Sequence, residues 1–245
     1  MQHVLVRVLR MWEARNFKLN GTLMSLDLLL LDEKETLVQG SIFHRRIETF
    51  RHQLKEGNIY LISNFEVVPT YNHYKVTDNP FTIRFMDTTQ IMEIAEADCS
   101  IKKEKFRLHT YAEFQNFAGT NLHLIDVVGQ VLQIQGSNLE DSNSKQKIVL
   151  LLLLEDNSTI RLTLWDGQSS EFRIQYQRSE RHCNVIVCTC LNPKKFAGKL
   201  FLNSTGATKL FLNSNLQVVN KFMKRMGIQN SVTAAAIVEE RSGKI

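Results

Sequence analysis

Phe196 lies in Asn192-Pro193-Lys194-Lys195-Phe196-Ala197-Gly198-Lys199, an aromatic side chain with lysines on both sides and Pro and Gly to bend the chain. An aromatic face stacks on any nucleobase, and ammonium groups neutralise phosphates, so this set suits a loop that closes on a nucleic-acid strand. A solvated turn carrying an exposed Phe is the other reading. Tyr71-Asn72-His73-Tyr74-Lys75 is a sparser version of the same set. Phe43 and Trp165 are aromatics of a second kind. Each ends an apolar segment and is followed by polar residues, His44-Arg45-Arg46 and Asp166-Gly167-Gln168. They read either as core aromatics or as platforms at a strand end.

Other chemistry finds little support. The chain has 4 cysteines, and the one metal-like grouping is His182-Cys183 with Cys188 and Cys190. It lacks paired C-x-x-C knuckles, and Cys188 and Cys190 fall on an expected strand where they can simply pack. There is no G-x-x-x-x-G-K-[ST] loop for ATP and no G-x-S-x-G nucleophile motif, and the carboxylates are scattered. The expectation is a non-enzymatic protein with no metal and no cofactor. The start, Met1-Gln2-His3-Val4-Leu5-Val6-Arg7, carries no secretory signature. The thiols are therefore expected to be reduced, as in a cytosolic or nuclear protein. The longest apolar run, Ile148 to Leu154, is too short to span a bilayer.

The elements that must position these residues are mostly strands. A hydrophobic fraction of 43% over 245 residues is enough for one large core or two small ones. The net charge of +5 is compatible with a polyanion partner but does not demand one. Val4 to Trp12 reads as a strand. Leu26–Leu31 and Leu37–Phe43 pair around Asp32-Glu33-Lys34-Glu35, and a helical stretch with Ile47, Phe50 and Leu54 on one face ends at Gly57. Ile59–Val68 and Phe81–Ile91 follow as the fourth and fifth strands. The second half repeats the order: Leu124–Gln135, Ile148–Leu154, Thr159–Trp165, a weaker helix over Ser169–Gln177, then Asn184–Leu191 and Lys199–Asn203. Phe43 and Trp165, Phe50 and Phe172, and Tyr74 and Phe196 all fall about 122 positions apart, a domain-sized repeat. Phe50 and Phe172 lie on the helices and read as core. Five strands with a helix between the third and fourth is the OB-fold order; another small β-barrel or a single larger sandwich would also fit the pattern.

Several ordered segments resemble the plant-type large (70 kDa) DNA-binding subunits of replication protein A. They are Val6-Arg7-Val8-Leu9-Arg10-Met11-Trp12-Glu13, Gly57-Asn58-Ile59-Tyr60-Leu61-Ile62-Ser63-Asn64-Phe65, Leu124-Ile125-Asp126-Val127-Val128-Gly129-Gln130-Val131, Thr163-Leu164-Trp165 and Leu210-Phe211-Leu212-Asn213. The resemblance runs collinearly from about residue 4 to about residue 226 and covers the family's two central OB domains. It implies a mainly β protein of two tandem five-stranded barrels. The expected divisions are 1–96 for the first barrel, 97–121 for a linker with a short helix, 122–226 for the second barrel and 227–245 for a tail. It further implies that Phe43 and Tyr74 in the first barrel, and Trp165 and Phe196 in the second, stack bases. Tyr74 stands where Phe is more usual. Arg45, Lys75, Lys194, Lys195 and Lys199 are the expected phosphate partners beside them. The implied partner is single-stranded DNA, with other replication protein A subunits or replication and repair proteins beyond it, in the nucleus and away from membranes. The family's N-terminal protein-recruiting barrel and zinc-bearing C-terminal barrel have no counterpart in these residues, which puts trimer membership in question. A rival reading is an OB scaffold that binds another protein. The exposure of the four aromatics discriminates the two.

Overall fold

A computed structural model describes residues 2–71, 73–180, 184–228 and 236–238, the last three by backbone alone. The chain divides into two compact units, Met1–Phe106 and Arg107–Ile245. Each is an OB-type barrel.

In the first unit, β1 (His3–Asn16), β2 (Thr22–Asp32) and β3 (Leu37–Phe43) form an antiparallel meander. Alternation along these strands turns Val6, Val8, Leu26, Leu28, Leu30 and Ile42 inward, where they are fully or almost fully buried. Gly40 on β3 is required by this packing: a Cβ there would come within 3.1 Å of Leu28 and 3.2 Å of Leu30. The fourth OB strand is β4 (Ile59–Ser63) plus β5 (Glu66–Pro69), and the fifth is β6 (Phe81–Arg84) plus β7 (Gln90–Ile94). β4 pairs with β1 and β7, while β5 pairs with β6. A parallel β3–β6 pairing closes the barrel.

The continuous strands expected over Ile59–Val68 and Phe81–Ile91 are therefore each broken in two. The break in the fourth strand falls at Asn64, whose φ is 58°. A left-handed residue ends the alternation and lets the strand change partners. Its carbonyl accepts a 2.8 Å hydrogen bond from the Thr89 hydroxyl, in the turn that separates β6 from β7.

The second unit repeats the design. After α2 (Tyr111–Phe117), opened by a Thr110–Glu113 capping box, come β8 (Ile125–Gln135), β9 (Ile148–Leu153) and β10 (Thr159–Leu164). The fourth strand, β11 (Val185–Phe196), runs five residues past its expected end. It pairs with β8 by its first half and with β12 (Lys199–Asn203) by its second. A further segment, β13 (Leu210–Leu212), completes the fifth strand, and β10–β12 is the parallel closure. The change of partner falls at Cys190, φ 52°. Its N–H donates to Asp126 at 2.9 Å, and its carbonyl accepts from the hydroxyls of Thr205 and Thr208 at 2.8 and 3.2 Å. β14 (Ala236–Val238) adds to β8 in parallel.

The helices reverse the expected order of strength. In the first barrel the segment is one α-turn, α1 (Ile47–Phe50), between 3-10 turns at 44–46 and 51–53. In the second it is a full helix, α3 (Asp166–Arg178). Phe50 and Phe172 are both buried, Phe50 edge-on to Phe85 and Phe172 stacked on Tyr176. α4 (Gln217–Met226) ends at left-handed Gly227.

The segment expected as a linker, 97–121, is shared between the units. Buried Arg7 grips Glu96 with two bonds of 2.8 and 2.9 Å and donates to the carbonyls of Gly57, Ile101 and Lys102. Arg10 reaches Glu104 at 3.0 Å, Lys102 pairs with Glu35 at 2.6 Å, and Lys105 donates to the Glu35 carbonyl. Residues 96–105 are thereby lashed to the first barrel. Arg107 donates to the Leu124 carbonyl and Arg107 N–H to Asp126 in the second.

A second buried arginine organises the second barrel. Arg173 on α3 is 0% exposed and donates to four carbonyls, those of Ser137, Asn138, Ser144 and Ser169, at 2.8–3.1 Å. It clamps the β8–β9 loop onto the helix. Removing it leaves several buried carbonyls unpaired, so Arg173→Ala should destabilise this barrel by about 3 kcal/mol. The chain has 2 tryptophans, Trp12 in the first barrel and Trp165 in the second. Urea unfolding followed by Trp165 fluorescence in a Trp12→Phe background reads the effect. A midpoint unchanged by Arg173→Ala would show that the clamp holds nothing.

Candidate nucleic-acid interface

Each barrel turns one pleated face outward across its second, third and fifth strands. Strand register fixes which residues share it. In the first barrel one row runs Trp12, Asp27, Ser41, Arg84, Glu66 across β1, β2, β3, β6 and β5. The matching row in the second is Gln135, Val149, Thr163, Asn203, Asn192.

The third strand ends in an outward aromatic in both barrels. Phe43 follows buried Ile42 and is 46% exposed; Trp165 follows buried Leu164 and is 44% exposed. Both backbones are extended and lead straight into a helical turn. The Phe43 ring leans on His44, with centroids 4.3 Å apart and planes tilted by 54°. The Trp165 indole N–H donates to Asn203 at 3.0 Å, and its backbone N–H to Ser204 at 2.9 Å.

The second aromatic of each barrel sits at the hairpin between the fourth and fifth strands. Tyr74 is 52% exposed with φ 55°, and Phe196 is 77% exposed at the end of β11. Because the fifth strand runs parallel to the third, this hairpin lies beside the start of the third strand, opposite the end that carries Phe43 or Trp165. In the second barrel Lys199 falls level with Thr159. Six residues of β10 then separate the hairpin from Trp165, roughly 20 Å.

The cations divide. Lys199 pairs directly with Phe196, and Lys194 shares its face and donates to Asn121. Lys195 pairs with buried Leu200 and so points to the opposite side of the hairpin. Arg45 is exposed beside Phe43, while its neighbour Arg46 is held by both oxygens of Asp87. Lys75 is half-buried beside Tyr74.

Sequence reading missed several residues on these faces. Arg161 is exposed on β10 between the two platforms of the second barrel, and the alternation Ile160-Arg161-Leu162-Thr163-Leu164 marks it as outward. Arg84 lies on the first face with an exposed link to Glu66 of 3.3 Å. Tyr71, 82% exposed, adds a second tyrosine to the first hairpin, whereas Phe81, 52% exposed, alternates with Arg84 and lies on the side of buried Ile83. Asp27 accepts from the Ser41 hydroxyl at 2.8 Å and from Gln39 at 3.4 Å.

Among the described residues no group of His, Cys, Asp or Glu is arranged to hold a metal. Cys188 and Cys190 are buried in β11, and His182 and Cys183 lie outside the described residues. No described helix is long and apolar enough to cross a membrane.

Fold and faces together define a pair of tandem OB-type barrels with aromatic-studded outer surfaces. Residues 2–119 match the family model described as "Domain of unknown function DUF223". The resemblance to the plant-type large subunits of replication protein A is borne out across both barrels. The chain is 25% identical, over 91% of its length, to a replication protein A 70 kDa DNA-binding protein of Arabidopsis thaliana. It is 23% identical, over 87% of its length, to a counterpart from Oryza sativa subsp. japonica. It spans only 29% and 22% of those two relatives. The fold also matches a structure of a replication protein A heterotrimer bound to single-stranded DNA. The TM-score is 0.59 at 18% identity, covering 96% of this chain and 56% of that one.

Enclosure among its neighbours pushes the Asp27 carboxyl above the usual carboxylate range, against the lowering effect of hydrogen bonds from Ser41, Ser25 and Gln39. A raised carboxyl stabilises the fold when protonated. Its contribution is fully present below the ordinary carboxylate range and is lost as pH rises through the raised value. Asp27→Asn cannot ionise and so escapes that loss. Its melting temperature relative to wild type should climb as pH rises above about 4. A difference that stays flat over that range would mean that Asp27 titrates as it does in the unfolded chain.

Proposed function

We infer that this protein binds single-stranded DNA along the outer faces of its two barrels, without catalysing a reaction. One observation carries the reading. Both barrels expose an aromatic at the end of the third strand and another at the hairpin of the fourth and fifth, and in the second barrel the two lie roughly 20 Å apart. A polar face with cations lies between them. A protein-binding scaffold has no need of that repeated placement, and core aromatics would be buried. The rings offer stacking to any base, and Arg45, Lys75, Lys194, Lys199 and Arg161 offer charge to the backbone, with Lys195 turned to the other side of its hairpin.

Similarity to proteins named for DNA binding supports the same reading. It extends to a role in DNA replication, repair or recombination in the nucleus, with other replication protein A subunits or replication and repair proteins as further partners. The two barrels share one chain, so engagement of one raises the effective concentration of the strand at the other.

Fluorescence anisotropy with labelled oligo-dT tests this directly. Single strands should bind far more tightly than the matching duplex, and affinity should fall as salt rises. Trp165→Ala and Phe43→Ala should each weaken a long oligonucleotide by about 1–3 kcal/mol while each barrel stays folded. Equal affinity for duplex and single strand would sink the stacking mechanism. So would a folded Trp165→Ala protein that binds long oligo-dT normally. Chelator should leave binding unchanged; a loss restored by zinc would overturn the metal-free reading.

A further inference from the structure

The two faces differ at their centres. In the first barrel the outward residue of the second strand one step in from Phe43 toward the hairpin is Asp27, in register with Ser41; the second barrel has Val149 there, in register with Thr163. Asp27 is half-buried, and its partners are the neutral donors of Ser41, Gln39 and Ser25. The cation nearest in the row, Arg84, lies one strand beyond Ser41 and is turned to Glu66. A carboxylate so placed is out of keeping with a surface for phosphates, since it would repel them. A strand laid across this face must present something else to it.

We propose that Asp27 forms a base-reading subsite of the first barrel that selects guanine. This rests on the reading of the outer face as a single-strand groove. Above its raised titration range the Asp27 carboxyl is ionised and only accepts hydrogen bonds, and its two oxygens provide about four acceptor positions. Ser25 and Ser41 take two of them; the 3.4 Å bond from Gln39 is the long one, and when it yields to a ligand two positions are open. The Watson–Crick edge of guanine presents N1–H and the N2 amine side by side, two donors for two oxygens. Adenine and cytosine set a ring-nitrogen acceptor beside their amine, and thymine flanks its single N–H with two carbonyls. Those edges turn at least one lone pair toward the carboxylate. Phe43 on β3, level with Ser25 one step along the face, is placed to stack the neighbouring base while Asp27 reads the edge of this one. Val149 offers no such acceptor, so the second barrel lacks this subsite.

The test uses the full chain and oligo-dT carrying a single dG, dI, dA or dC, with the substituted position walked along the strand. At one register dG should bind on the order of tenfold tighter than dA or dT, the size expected of a bidentate base contact. Inosine, which lacks the N2 amine, should keep only part of the gain. Asp27→Val, the residue of the second barrel, should abolish the preference and leave the dT background within about threefold. Asp27→Asn keeps the shape but pairs one acceptor with one donor, and should move the preference from dG toward dA or dC. Trp12 fluorescence melts show that each variant is folded. Tight dT binding with no guanine preference overturns the inference and leaves the single-strand reading intact. So does a preference that survives both variants. Failure to bind any single strand overturns both.

Discussion

Each barrel depends on one constraint: its fourth strand must serve two partners. The first half has to pair with strand one and the second half with strand five, and these lie in different directions around the barrel. A regular strand cannot do both. The chain solves this with a left-handed residue, Asn64 in one barrel and Cys190 in the other. In each case threonine hydroxyls from the fifth-strand side capture the freed carbonyl. A non-glycine residue in that region is strained, and the hydrogen bonds offset part of the cost. Everything on the outer face follows from this bend. It allows the fifth strand to reach the third in parallel, which sets the hairpin aromatic and the strand-end aromatic at opposite ends of one surface.

The bend also explains why Cys188 and Cys190 are both buried. Two positions apart on a strand, they would share a face in any case. The left-handed turn at Cys190 instead seats it among Asp126, Thr205 and Thr208, with Cys188 in the main core. Their spacing reflects the geometry of the strand.

What could be read from the sequence was the part carried by alternation and by equal spacing. The hairpins Leu26–Phe43 and Ile148–Trp165 have turns of similar length, so the aromatics that end them fall at the same offset and the repeat is visible. The broken strands were not legible: Cys190 is not a residue type that marks a left-handed backbone, and Asn64, which is of a type that adopts one readily, sits between two apolar runs that read as one strand. Helix strength was misjudged for a related reason. Ile47, Phe50 and Leu54 have helical spacing, but Leu54 is extended, and only one α-turn forms. Asp27 was hidden in Leu26-Asp27-Leu28-Leu29-Leu30-Leu31. Leu29 and Leu31 are buried on the outer side as well, so the run looks uniformly apolar and its one outward polar residue passes as a blemish. Lys102 and Lys105 carry no periodic signal; their engagement with Glu35 emerges only from the folded chain.

The tether between the Trp165 indole and Asn203 separates the two barrels in time as well as in chemistry. A pinned ring has surrendered its rotamer freedom before any ligand arrives, so little more is lost on contact. Phe43 leans on His44 at a tilt, with no hydrogen bond to pin its ring, and must still be ordered. Such differences express themselves mainly in departure rates. On the proposed reading, the second barrel is the anchor with the longer residence, and the first lets go and re-engages many times while the anchor holds. An incoming protein that competes for the strand would find its opening at the Phe43 face, and displacement would proceed from there without the complex first having to dissociate.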